Sequence, residues 1–234
     1  GEKNTMESVL DRVIKQNTEN VNLLKTKDYN IFSVLQIQSK EVLICRMIAD
    51  LLNPRGQHGA GAEYLKIFLR DCLGMEKMDT KLADQAIVTA EYAIDDERRI
   101  DIVIEIGSYF LPIEVKIYAA DQKSQCFDYY QYAKRRDAQA KVYYLTLDGH
   151  RPGKDSTSSG SQSVPEEDIV CLSFREHILN WLKACKSCEN TGMVPILEQF
   201  IRNIEQISGY TSERVRNMVI DELLVSGDSL RAGM

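Results

Sequence analysis

Apolar and polar residues alternate along two neighbouring stretches of this chain. In Arg99-Ile100-Asp101-Ile102-Val103-Ile104-Glu105 the isoleucines at 100, 102 and 104, followed by Ile106, fall on one face of a strand. Asp101, Val103 and Glu105 fall on the other, because successive side chains of a strand point to opposite sides. In Leu111-Pro112-Ile113-Glu114-Val115-Lys116-Ile117 the aliphatic residues share one face and Glu114 and Lys116 the other. The Gly107-Ser108 break between them predicts a hairpin. Helical spacing predicts further elements: a helix over 5–16, one reaching Leu52 with Ser39 as its cap and Asn53-Pro54 as its stop, and one over 63–72 ended by Gly74. Residues 20–33 read as a polar connection. Ala86–Ile94 reads as a first strand, 121–132 as a helix, Lys141–Leu147 as an apolar strand and Ile169–Phe174 as a short one. Helices are predicted over 175–188, 195–207 and 211–224. Residues 151–165 are rich in Ser and Gly and without periodicity, so they read as a mobile loop near the substrate.

The polar faces of the hairpin carry the candidate chemistry. If the aliphatic faces point the same way, Asp101, Glu114 and Lys116 converge. Carboxylate oxygens suit Mg²⁺ or Mn²⁺, and such a metal can activate water and neutralise charge on a phosphoryl group. An adjacent ammonium can stabilise that charge. An ordinary surface hairpin with an incidental ion pair would present the same three residues. Two flanking features favour the first reading. Gln125 and Tyr129 are four apart and share a helix face, with Tyr132 three further on. Glu41, at the start of an apolar helix, is either a third carboxylate or an acid favoured by the helix dipole.

In combination these residues resemble the PD-(D/E)XK nuclease superfamily. The Gln125…Tyr129 pair is similar to its RecB-like and lambda-exonuclease-like branch. The segment from Glu41 to Gly61, with Asn53-Pro54-Arg55-Gly56-Gln57-His58-Gly59, further resembles a bacterial subgroup. The resemblance covers roughly Glu41 to Leu182. It implies an α/β restriction-endonuclease-like core, a central mixed sheet flanked by helices in αβββαβ order, and metal-dependent nuclease activity. It places Glu41, Asp101, Glu114 and Lys116 at catalytic positions, the three acids as metal ligands, with Gln125 and Tyr129 in support. The expected substrate is DNA, with RNA left open. A non-catalytic nucleic-acid-binding or assembly module on the same scaffold is the alternative. No Pro precedes Asp101, where the superfamily's motif has one; Ile100 stands there.

Composition adjusts this picture modestly. The chain of 234 residues is long enough for one full core. The expected organisation is a helical appendage over 1–38, the core over 39–188 and a C-terminal helical extension over 189–234. The ending after Gly227-Asp228 suggests a piece of a longer protein. No apolar run reaches membrane length, no signal peptide is visible, and six scattered cysteines suit reduced thiols. A cytoplasmic location is therefore expected. The net charge of −6 is unusual for a nucleic-acid binder. However, Lys134, Arg135, Arg136, Lys141, His150, Arg151 and Lys154 form a local basic series. They are either phosphate contacts or a helix end completed by its dipole. His58, among glycines, either touches substrate or caps the next helix. Cys185-Lys186-Ser187-Cys188 has half-zinc spacing without a second pair. Pro152-Gly153-Lys154-Asp155-Ser156 lacks the frame of a phosphate loop.

Overall fold

A computed structural model describes residues 29–76, 78–188 and 191–209. The helices expected over 5–16 and 211–224 lie outside the described residues. Two compact units are distinguished, 1–37 and 38–234. Among the described residues of the first lies a short helix, α1 (Ile31–Val34), whose N-cap Asn30 accepts from Phe32 N.

The second unit is built on a five-stranded sheet of order β1-β2-β3-β4-β7. Helices α2 (Glu41–Leu52), α3 (Glu63–Asp71) and α4 (Thr80–Ala83) precede β1 (Ile87–Ala93), β2 (Arg99–Ile106) and β3 (Tyr109–Lys116). Helix α5 (Gln125–Arg136) leads to β4 (Val142–Thr146). A short helix α6 (Lys154–Thr157) and a small hairpin, β5 (Ser158–Ser159) with β6 (Gln162–Ser163), precede β7 (Ile169–Ser173). A π-helical turn over Phe174–Ile178 opens into α7 (Leu179–Lys186), and α8 (Val194–Ile207) packs on α7. Strands β1, β2 and β3 are antiparallel neighbours, and β3, β4 and β7 run parallel. The sheet is therefore mixed, with α5 making the crossover that a parallel β3–β4 pair requires.

Both faces of β2 and β3 are covered. Val103, Phe110, Val142 and Tyr144 pack against Cys126, Tyr129 and Ala133 of α5. Ile102, Ile104, Ile113 and Val115 are buried as well, and α2 lies against β1, β2 and β3. That explains why β3 is apolar on both sides except where Glu114 and Lys116 interrupt it. Pro112 is tolerated in this central strand because pairing with β4 begins only at Ile113. By alternation, its missing N–H faces the β4 side, where no ladder yet runs.

Several boundaries differ from the sequence reading: α1 begins inside the stretch read as a polar connection over 20–33, α4 falls where no element is predicted, and the helix read over 175–188 opens as a π-turn. The helix expected over 121–132 begins at Gln125, because Ser124 takes a left-handed conformation (φ 56) and Asp121 is tied elsewhere. The expected loop over 151–165 holds α6 and the β5–β6 hairpin, fastened to the start of α5. Ser124 N donates to Asp155 O, Ser124 Oγ to Ser158 O, and Cys126 N to the buried Ser156 Oγ.

Candidate active site

Strands β2 and β3 part company at the acids. Their ladder runs from Ile106↔Tyr109 to Ile102↔Ile113 and stops there. Beyond it, β2 continues to pair with β1 through Ile100 and Arg99, and β3 with β4 through Lys116. Backbone N–H groups of β3 that face the parted strand lose their ladder partners, and buried donors cannot be left unmade. Two carboxylates replace those partners. Asp101 Oδ2 accepts from Val115 N at 2.8 Å, and Glu41 Oε2, from the first turn of α2, accepts from Ile117 N at 2.8 Å. Each acid is thus anchored through one oxygen. Lys40, not Ser39, occupies the N-cap of α2, without a side-chain cap.

Glu114 lies between them without a backbone anchor. It is 1% exposed, and its Oε1 meets Lys116 Nζ at 2.7 Å. Its Oε2 is buried and no donor reaches it; the carboxyl's other close neighbour is the Asp101 carboxyl, with which it can share a proton. Burial, then the neighbouring Asp101 charge, pushes the Glu114 carboxyl well above its ordinary range. Burial likewise raises Asp101. Burial pulls Lys116 down, but the charge and hydrogen bond of Glu114 together with the charges of Asp101 and Glu41 outweigh it and leave it above its usual value. The ammonium is therefore held charged at neutral pH. Three acids against one base leave this pocket electronegative, and the buried Cys45 thiol beneath them is raised by burial and by all three carboxylates.

Helix α5 supports the site from its first turns. Gln125 Nε2 donates to Tyr129 Oη at 3.1 Å, and that hydroxyl donates to Arg99 O, two residues before Asp101. The tyrosine ring is buried, so the pair fixes the course of β2 and offers no hydroxyl to solvent. Arg98 adds a clamp that sequence reasoning missed. Its guanidinium donates to Asp128 Oδ2, Gln122 Oε1 and Lys123 O, tying the start of β2 to the approach to α5. Only its position just before the Asp101 strand could have flagged it.

The sequence model of the PD-(D/E)XK nuclease superfamily matches residues 29–203, well over half of the chain. The chain belongs to the PD-(D/E)XK nuclease superfamily. No curated protein and no solved structure gives a significant match. The superfamily is known for nuclease activity, is often metal-dependent and typically binds nucleic acid. The α/β restriction-endonuclease-like core expected from the sequence is what the strand order and crossover describe.

For this PD-(D/E)XK chain, fit to a metal is mixed in one respect. Among the described residues no group of three His, Cys, Asp or Glu side chains is gathered as a ready-made metal site. The unpartnered, buried Glu114 Oε2 nevertheless needs a proton or a cation, and the surrounding donors are carboxylate oxygens of the kind hard divalent ions take. Asp101 and Glu114 fit such an ion, and Glu41 stands within reach of their charges.

The outlying residues fall elsewhere. His58 is buried and stacked on Tyr64; its Nδ1 accepts from Ala60 N, and its Nε2 bonds Asn53 O. Its ring therefore folds the loop after α2. Lys134, Arg135 and Arg136 sit at the far end of α5, roughly 15 Å along the axis from Gln125 at about 1.5 Å per residue. Lys134 pairs with Asp168 and Arg136 with Glu105, and Arg135 lies over the Tyr132 ring. They flank the acids in sequence but not in space. Tyr132 does not turn to the acids but joins Tyr92 and Phe110 in an aromatic cluster. Arg151 follows β4 and donates to Glu166 O. With Lys154, Thr157, Ser158 and Ser163 it lines a cavity of about 420 Å³. All six cysteines are free. No helix among the described residues is long and apolar enough to cross a membrane.

Proposed function

We propose that this chain is a metal-dependent nuclease that hydrolyses phosphodiester bonds in DNA at the Asp101–Glu114–Lys116 site. The observation that carries the reading is the buried, unpartnered Glu114 Oε2 beside Asp101, at the point where β2 and β3 part. Asp101 and Glu114 would hold Mg²⁺ or Mn²⁺, with Glu41 assisting directly or through water. When bound, the ion supplies Lewis acidity at the phosphoryl group and favours hydroxide over water. Lys116, kept protonated by Glu114, acts as a donor and not as a base. Its ammonium orients the attacking water and offsets charge that builds on the phosphoryl oxygens. Gln125 and Tyr129 act one step removed, by fixing Arg99 and so the approach of Asp101. Arg151 and Lys154, which line one cavity after β4, are the basic residues assigned to phosphate contact in this reading.

The test is cleavage of labelled linear and circular DNA with Mg²⁺, Mn²⁺ or EDTA, with Lys116→Ala alongside and RNA as a parallel substrate. Metal-dependent cutting that Lys116→Ala loses by several orders of magnitude is expected. Undiminished cutting by Lys116→Ala would sink the assignment. The lack of a ready-made group of three ligands favours a second reading, a nucleic-acid-binding module that does not hydrolyse. Such a module would hold DNA equally well in chelator and in metal.

A further inference from the structure

Strand β3 ends at Lys116, and the chain bends at Ile117 and Tyr118 beside the site. The N–H groups of Val115 and Ile117 are both held by carboxylates of the site, Asp101 and Glu41. Tyr118 follows directly on Ile117, the residue that Glu41 holds. Glu114 and Lys116 are 1% and 6% exposed, whereas Tyr118 is 67% exposed, the most of any large apolar side chain among the described residues. A single exposed aromatic is ordinary on a protein surface, so position and presentation carry the argument.

Presentation is firm. On one side Ile117 N is held by Glu41. On the other, Asp121 accepts from Tyr144 Oη at 2.6 Å and from Gly153 N at 2.7 Å. Between these anchors run only Tyr118, Ala119 and Ala120, all exposed, and the two alanines leave the approach to the ring open. Beside Glu41, Val42 and Leu43 add exposed apolar surface at 46% and 39%. This bridge starts one residue beyond the amide that Glu41 anchors, next to where a phosphate at the acids would sit.

We infer that Tyr118 is a stacking platform for a nucleobase next to the reacting phosphate. The inference rests on the nuclease reading of the same site and names its substrate class. A ring can stack only on a base whose face is open, and in a duplex both faces are covered. The site is thus suited to an unpaired base beside the scissile bond, as in single-stranded DNA, a frayed end or a flap.

Binding, read apart from cleavage, tests this. Oligonucleotides carrying 2-aminopurine are titrated with the protein in Ca²⁺ and in EDTA, as single strands and as blunt duplexes. Wild type and Tyr118→Phe should quench the single strand. Tyr118→Ala should lose the quenching and bind single strands roughly tenfold more weakly, a typical effect of removing one stacked base, while duplex binding stays put. Tyr118→Trp gives a second readout. The chain's one tryptophan, Trp181, is buried, so the new indole supplies an exposed emission that single strands should quench. Equal single-strand affinity of Tyr118→Ala and wild type overturns the inference. So does an equal loss on duplex, or a wild type that holds no single strand. Failure of cleavage with intact quenching would instead count against the nuclease reading alone.

Discussion

Asp101 has two jobs that its side chain separates atom by atom. One oxygen replaces a ladder partner of Val115 N; the other is open toward Glu114. Asparagine keeps an acceptor for Val115 but removes the charge, and alanine removes both. Asp101→Asn should therefore fold at least as stably as wild type in chelator, since it relieves a buried carboxylate raised by burial. Asp101→Ala should be less stable than Asp101→Asn by about 1–3 kcal/mol, the cost of leaving a buried N–H unmade. Neither should cleave. Denaturant unfolding beside a cleavage assay checks the pair, and equal stability of the two variants would refute the capping role. Asp101, Glu114 and Lys116 were legible in the sequence because strand alternation in a hairpin puts them on one face, whereas Glu41 was legible only as an acid in the first turn of a helix. The anchoring of Asp101 and Glu41 to β3 amides was not, because it depends on where the β2–β3 ladder stops, and no local pattern encodes that.

At the scale of elements, α5 and β2 are joined by a relay from Gln125 through Tyr129 to Arg99 O, with Arg98 beside it. Tyr129→Phe keeps the ring in its packed place but strips the hydroxyl, leaving a carbonyl and an amide short of partners. A stability loss of about 1–3 kcal/mol is expected. Cleavage should slow mainly through kcat, because the change shifts Asp101 and touches no substrate. A variant with wild-type kcat and raised KM would instead put Tyr129 on the substrate. The long periodic helices and the hairpin strands were readable from their patterns. The start of α5 was misread by four residues because its N-terminus is set by contacts with residues 155–158, distant in sequence. For the same reason those residues, predicted as a plain loop, form α6 and a small hairpin. The basic triplet at the far end of α5 shows the limit of reading proximity from sequence: a helix of this length carries its last turn to the opposite end of the sheet.

For the whole molecule, the clustered acids make stability depend on pH and on metal together. Carboxyls raised in the folded state hold protons that the unfolded chain has already released. Their stabilising effect is full below the ordinary carboxylate range, near 4, and is lost as pH rises through the raised values of Asp101 and Glu114. In EDTA the melting temperature should thus fall across that window. Mg²⁺ or Mn²⁺, binding the ionised form, should raise it again, and by more at higher pH. A melting temperature in EDTA that rises over the same window, or a metal effect independent of pH, would contradict this.

The parting of β2 from β3 also bears on how such chains age. Asp101 and Glu41 hold up the end of β3, so a descendant that stopped cutting would still be penalised for losing them. Glu114 and Lys116 have no such second employment. A buried ion pair can often be exchanged for apolar residues with little harm to the fold. In this lineage a lapse of catalysis should therefore be written first at 114 and 116, while the acids at 41 and 101 persist as relics of architecture.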